Sequence, residues 1–449
     1  MLMETSRRRV LFAAATAATA ATAGASGSAS AATAAVTAPT DWIDVTAAPY
    51  GATGDGSTDD APAINAALAA CPSGGVVYLP AGTYAVGRPL EVPSGVTLQG
   101  THGNHLQPSL SSIQPRVDFS GQGEGVHPTP DDVGLNPAVI RFLDEQTWDR
   151  NVLPGGHSSE QRVFGVSIDG SQLPGGRMFN GDLGPNAGSN TVDGIQAYGL
   201  VHSVVLQDVS ITGVGGRGIA APRHTSSTIS PNGAYSWRGT RIVASQCGGH
   251  GFSLSMTDCT WIDLEAIGCK GSGFYVANAS NSQFIGCRAE FNKAHGLQVT
   301  GTWSSGTGAG GCSFANFSTD RNNFNGVYVD ALGTSPVLFT GLMLRRDGGN
   351  TLAGGGGFAG LKIQGATVPV VVTGVTVFPG VEDTGGGVNS PQYGIAATSA
   401  AFVSVTGGYL QAAQAPVRDG GSNTVLHVDP AIGRMYGTTS APQTAPSSP

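Results

Sequence analysis

Asp193, Arg217 and His250 each stand immediately before a glycine that opens a short apolar motif, and the motif recurs along the chain. The residue before that glycine reads Asp193, Arg217, His250, Ser272, His295 and Asn325 in successive copies. If the copies stack, three consecutive layers present a carboxylate, a guanidinium and an imidazole in one column, with neighbours roughly 5 Å apart at the backbone. Those are the parts of acid/base chemistry on a charged sugar; a solvated salt-bridge ladder at a turn is the bland reading of the same column. A second column lies six residues before the glycine: Asp169, Thr212, Ser245, Ile267, Glu290 and Asp320. Glu290 and Asp320 fall on neighbouring copies. Two carboxylates that close raise one pKa, as a general acid requires, although ion pairs with Arg288, Lys293 and Arg321 account for them equally well.

The outward positions of the motif are Gln196, Ser253, Tyr275, Gln298, Tyr328 and Lys362. Tyrosine faces beside amides suit sugar rings, which offer apolar C–H faces and hydroxyls. Tyr275, Gln298 and Tyr328, with His295 and Lys293 nearby, are therefore candidate substrate contacts. Trp237 and Trp303 lie in or beside inserted segments and are candidates for added stacking. Tyrosine on an outer strand face is also ordinary strand chemistry.

The elements that must hold these side chains follow from the repeat. The unit is Gly, apolar, any residue, apolar: GIQA at 194, GIAA at 218, GFSL at 251, GFYV at 273, GLQV at 296, GVYV at 326, GLKI at 360 and GIAA at 394. The shortest steps, 22 and 23 residues, define a basal coil; longer steps are that coil plus loops. Such a coil is too short for a strand and a crossover helix, but holds two or three short strands with turns. Alternating apolar residues mark a strand with one buried face. No coil buries its face alone, so stacking makes the core, and parallel crossovers are right-handed. The expectation is an all-β, single-stranded right-handed parallel β-helix over residues 41–430, with strands at 251–254, 273–276, 296–299 and 326–329 and Phe252, Phe274, Leu297 and Val327 inside. Cys247, Cys269, Asn292 and Asn322, four residues before the glycine, should form an internal ladder at one turn. Loops 171–190, 347–358 and 380–392 precede the repeated strand and 219–236 and 300–311 follow it, so they should wall a groove. Thr58-Asp59-Asp60 precedes an apolar helix from Ala61 that is suited to cap the open end, with Asp55, Asp59 and Asp60 as turn and cap residues.

Bulk properties narrow the function. Only 12% of the 449 residues are charged and 69 are glycine, which suits strands and tight turns. The net charge is −8. Glu4 against Arg7, Arg8 and Arg9 leaves +2 in the first 31 residues, so the rest carries −10. That argues against nucleic acid as a partner, while the slightly basic middle, ten Lys/Arg against eight Asp/Glu over residues 200–350, remains compatible with an acidic polysaccharide. Ser6-Arg7-Arg8-Arg9 before a long Ala/Thr stretch resembles a twin-arginine export signal over residues 1–31, with Ala29-Ser30-Ala31 as cleavage site. No segment approaches a membrane span, and the tail over 437–449 reads as disordered. Six cysteines, none in a CxxC pair, argue against zinc. Small buried ladder residues is the leading reading for Cys247 and Cys269, and a disulfide between them the lesser one.

The segment Tyr50-GATGDGSTDDAPAINAAL, then GGVVYLPAGTY, then LEVPSGVTLQG, closely resembles the pectate-lyase-like, rhamnogalacturonase/epimerase-like β-helix superfamily over residues 41–100. The resemblance implies the fold; its members differ in chemistry and include polysaccharide hydrolases, lyases and phage tail spikes. Asn190-Thr191-Val192-Asp193-Gly194 is similar to the Asn-Thr-Asp-Gly motif of polygalacturonases with one extra residue, and Gly249-His250-Gly251 to their Gly-His-Gly. Their paired aspartates would fall where this chain has Gly216-Arg217-Gly218, and Leu361-Lys362-Ile363 matches their Arg-Ile-Lys poorly. Three functions stay open. A glycoside hydrolase would use Asp193, Glu290 or Asp320 as acid and base without a cofactor. A polysaccharide lyase acting on uronates would draw on Arg217, His250, Lys270, Lys293 and His295, with calcium as its conceivable cofactor. A non-catalytic carbohydrate-binding or spike-like protein is the third. The oligomeric state is not legible.

Overall fold

A computed structural model describes residues 42–101, 110–116, 119, 136–143, 160–198, 201–221, 234–277, 279–300, 311–331, 333, 336–349, 357–381 and 389–432. The expected leader, the tail, Trp303 and parts of loops 219–236, 300–311, 347–358 and 380–392 lie outside these residues. Every pairing between its named strands is parallel. Eleven strands form one sheet in chain order: Leu90–Val92, Ala138–Leu143, Asp193–Tyr198, Ile219–Ala221, Phe252–Leu254, Phe274–Ala277, Leu297–Thr300, Val327–Asp330, Ala359–Gln364, Tyr393–Thr398 and Ala415–Asp419. A nineteen-stranded sheet forms the rest of the coil wall, and a small three-stranded one joins Val201–His202, Ala234–Tyr235 and Met256–Thr257. The four strands expected from the repeat are therefore present within a residue, in one parallel sheet.

The sequence makes these coils in two ways. First, the inward positions form ladders of like residues. Ile195, Ile219, Phe252, Phe274, Leu297, Val327, Leu361 and Ile395 stack in register and are all fully buried. Phe252 and Phe274 lie face to face, 4.7 Å between centroids, and Phe284, Phe314 and Phe339 make a second ring stack at 4.8 and 5.1 Å. Such offset stacks add to the area they bury. Second, the long strands turn a corner at one left-handed residue per coil: Gly165, Asp208, Arg241, Asp263, Gly286, Asn316, Gly341, Gly374 and Gly407, with φ from 53° to 69°. Glycine, asparagine and aspartate tolerate this region best. Where the coils carry Asp208 and Arg241 instead of glycine, the two side chains pair, Arg241 Nη2 donating to Asp208 Oδ2 at 2.8 Å.

The glycine that opens each repeat has a different reason. It does not have a positive φ. A Cβ on Gly194, Gly218, Gly251 or Gly296 would meet the carbonyl oxygen of the next coil's glycine at 2.5–2.8 Å, closer than any side chain allows. Four residues before that glycine runs the turn ladder. Cys247, Cys269, Asn292 and Asn322 are fully buried in it. Asn292 Nδ2 donates to Asn322 Oδ1 at 2.8 Å and to the Ala266 carbonyl at 3.1 Å, and the Cys269 amide donates to Asn292 Oδ1 at 3.0 Å. One member went unread in the sequence: Asp347 ends the ladder, accepting from Asn322 Nδ2 at 2.8 Å and from the Thr319 hydroxyl at 2.6 Å. All six cysteines are free and buried, so Cys247 and Cys269 are ladder residues and not a disulfide.

The helix Ala61–Ala70 buries Ala61, Ile64, Ala67 and Leu68. Asn65 ties it to the first groove-sheet strand, donating to the Pro89 carbonyl at 2.9 Å and accepting from the Glu91 amide at 3.0 Å. Asp60 does not cap it as expected. Its carboxylate turns away to accept from the Thr53 and Gly54 amides at 2.7 and 3.0 Å, and Asp59 receives the Ala61 amide at 3.1 Å instead.

Candidate active site

The residue before each glycine forms one column, as the repeat requires, but its members differ in environment. Asp193 has no exposed surface. Arg217 on the next coil grips it with its backbone amide at 2.6 Å, Nε at 3.2 Å and Nη2 at 2.7 Å, and Asn136 and Gln196 each donate to it at 3.0 Å. The solvated salt-bridge ladder read from the sequence is thus, at this position, a buried pair. The side chain is roofed by its neighbours because an anion two residues ahead of the buried Ile195 finds a cation one coil above. Loop 171–190 borders this end: Asn190 accepts from the Gly215 amide at 2.8 Å and donates to the Pro174 carbonyl at 2.8 Å.

Further along, the column opens. His250 accepts from the Ser272 amide at Nδ1, 2.9 Å, and its ring lies on Tyr275, centroids 4.7 Å apart and 13° from parallel. His295 repeats the arrangement two coils later, with the Asn325 amide at 3.2 Å and Tyr328 at 4.7 Å and 12°. Burial, helped by the charge of Arg217, lowers His250 to about 4; burial and then Lys362 lower His295 to about 4. Both rings are therefore neutral near pH 7. With Nδ1 accepting, the proton sits on Nε2, which makes each a hydrogen-bond donor.

The outward column beside it runs in register through Arg141, Gln196, Ala220, Ser253, Tyr275, Gln298, Tyr328, Lys362, Ala396 and Arg418. Gln298 accepts from the Ser272 hydroxyl at 3.2 Å. Lys362 Nζ lies 6.0 Å from the centre of the Tyr328 ring, and the Arg418 guanidinium 4.8 Å from that of Tyr393. Burial, then Asp330, holds the Tyr275 and Tyr328 phenols above their usual range. Lys293 is exposed at the adjoining turn.

Glu290 and Asp320 stack as read, in register with Ile267 below and Arg345 above. They belong to the nineteen-stranded sheet, across a turn from the tyrosines. Asp320 is engaged: Arg346 Nε donates at 2.9 Å, and Arg345 Nη2 lies 3.2 Å away. Glu290 keeps partial exposure and burial raises its pKa. Trp237 is not a sugar platform. It is fully buried, with Nε1 donating to the Val201 carbonyl at 3.0 Å and its ring against Trp261. No cluster of three or more His, Cys, Asp or Glu side chains able to hold a metal occurs among the described residues.

The sequence reading missed Asp330. It ends the strand Val327–Asp330, and period-two alternation puts it on the same outward face as Tyr328. That alternation was the available signal.

Residues 42–112 match the family described as rhamnogalacturonase A/epimerase, pectate lyase-like. The coils beyond them agree with structures of known proteins. The A-module of a mannuronan C-5 epimerase from Azotobacter vinelandii superposes with a TM-score of 0.55 over 87% of this chain and 100% of its own, at 18% identity. The enzymatically active domain of tailspike protein 2 of bacteriophage CBA120 gives 0.58 over 90% of this chain and 54% of its own, at 13% identity. The fold is a right-handed parallel β-helix. In sequence, rhamnogalacturonase A of Aspergillus aculeatus is 25% identical over 322 residues, 64% of this chain and 67% of that enzyme. Rhamnogalacturonase A of Emericella nidulans is 23% identical over 314 residues, 64% of this chain and 58% of that enzyme.

Proposed function

We propose that this β-helix is a polysaccharide-active enzyme, a glycoside hydrolase that works on a pectin-like or other plant or microbial polysaccharide along the outward face of the eleven-stranded sheet. The observation that carries the proposal is the ladder Tyr275, Gln298 and Tyr328 flanked by His250 and His295. It offers ring faces, an amide and two neutral imidazoles with Nε2 free to donate, at the coil spacing of roughly 4.8 Å. A sugar chain laid along the axis can stack and hydrogen-bond at successive coils. Similarity to the rhamnogalacturonases supports hydrolysis. Among the carboxylates first considered, Asp193 and Asp320 are held in close ion pairs, whereas Glu290, across the turn from this face, meets Arg288 only at 3.8 Å and has its pKa raised by burial, as suits a general acid.

One observation favours β-elimination as a second reading. Lys362 and Arg418 make no ion pair among the described residues and stand on this face beside Tyr328 and Tyr393, where they can neutralise a uronate carboxylate while a neighbouring group takes the adjacent proton.

Incubation with pectin, rhamnogalacturonan and β-glucan separates the readings. New reducing ends without near-ultraviolet absorbance are expected. Unsaturated, absorbing products establish the lyase; binding without turnover establishes a carbohydrate-binding protein. An extracellular site of action goes with such substrates. Export through the leader is tested by Arg7→Lys with Arg8→Lys, which should leave precursor in the cytoplasm.

A further inference from the structure

Among the described residues, two side chains on the outward face of this sheet carry a buried oxygen without a hydrogen bond, Gln196 and Asp330; Gln196 is held through its Nε2 by the Asn136 carbonyl and Asp193, whereas no hydrogen bond holds Asp330. Asp330 is half-buried, and its Oδ1 is buried without a hydrogen bond. No cation lies within ion-pair distance of it among the described residues, although Lys362 stands on the next coil beside Tyr328. Its strand neighbours are Thr300 on the preceding coil and, by continuation of the register, Gln364 on the following one. The carboxylate is close enough to oppose ionisation of both Tyr275 and Tyr328. The anions elsewhere on the same coils are treated differently: Asp320 is met by Arg345 and Arg346, and Asp347 by Asn322 and Thr319.

A buried acceptor left empty costs stability. Among the described residues the other buried carboxylates are satisfied and this one has an empty oxygen beside two ring faces, a place that suits a donor. The donor that fits is a hydroxyl, because the site already offers flat rings for C–H stacking and a carboxylate oxygen accepts from O–H at short range. We propose that Asp330, which keeps partial exposure, is a substrate-contact residue, its carboxylate turning to accept a hydrogen bond from a hydroxyl of a sugar ring that lies against Tyr275 and Tyr328. The assignment rests on the polysaccharide reading of this face and adds to it the residue that reads the sugar's hydroxyl pattern. It needs no charge on the sugar, and it places the contact on the strand Val327–Asp330, three coils beyond His250.

The test uses the full chain and two readouts. The first is retardation in native gels cast with pectin, rhamnogalacturonan or β-glucan, which reads binding without turnover. On the polymer that retards the parent, Asp330→Ala should weaken affinity about tenfold or more and Asp330→Asn less. Equal retardation of parent and both variants overturns the assignment and leaves the polysaccharide reading standing. A parent retarded by none of these polymers and active on none overturns the reading and the assignment together. The second readout is melting without ligand. Asp330→Asn should melt at the parent's temperature or above it, because an unsatisfied anion has been removed. A fall of more than about 5 °C means that Asp330 is a structural anion and overturns the assignment independently of any substrate.

Discussion

Asp193 and His250 share a column and a chemistry on paper, yet their surroundings give them opposite duties. Asp193 with Arg217 is a buried, saturated pair. Removing one member strands the other charge, at a cost of roughly 3–5 kcal/mol. Asp193→Ala is therefore expected to lower the melting temperature sharply, and an unchanged melt excludes a structural role for the pair. The histidines carry a pH signature. Each titrates near 4 in the fold against about 6.5 when unfolded. Between those values the unfolded chain binds more protons, so stability declines as pH falls from about 6.5 towards 4, by up to roughly 1.4 kcal/mol per unit for each ring. The double variant His250→Gln, His295→Gln should lose less melting temperature than the parent between about pH 7 and 4.5. Equal losses count against buried neutral imidazoles.

At the scale of the element, the turn ladder is the unit that couples one coil to the next. Asn322 bonds to Asn292 below and Asp347 above and to the Ala289 carbonyl at 2.9 Å. Asn322→Leu should cost about 3 kcal/mol, because the Asp347 carboxylate and a turn carbonyl both lose donors. Asp347 itself is strained electrostatically. Burial, against the bonds from Thr319 and Asn322, raises it to about 7 from 3.8. Its ionisation opposes folding increasingly from about pH 4 and fully above about pH 7. Asp347→Asn preserves an acceptor for Asn322 and offers an amide to Thr319. It should melt above the parent near pH 8 and converge with it near pH 4, as scanning calorimetry across pH would read; a parallel offset at both pH values would mean that Asp347 does not ionise in this range.

For the whole molecule, stability is a sum over stacked coils, and the coil is interchangeable where it is shortest. Phe252 and Phe274 are register partners 22 residues apart. Deleting residues 252–273 joins Gly251 to Phe274 and removes one coil without disturbing the alternation. The shortened chain should still fold, with strand circular dichroism retained and a lower melting temperature. Collapse to an aggregate would show that the coils are not independent units. The same stacking gives the tyrosine face its length: His250 with Tyr275 and His295 with Tyr328 are the same arrangement placed two coils apart.

Glycine spacing and period-two alternation were sufficient for the coil, the parallel sheet, the Cys247–Asn322 ladder and the stacking of Glu290 on Asp320, because a solenoid converts sequence period directly into spatial register. The sequence could not say which way a column's charges are spent. Asp193 and Asp320 are held by arginines from the next coil, Trp237 turned inward beneath the Val201 carbonyl, and Asp330 was left with an empty oxygen. Those outcomes depend on side-chain reach and on what covers each position, and both are decided only when neighbouring coils pack.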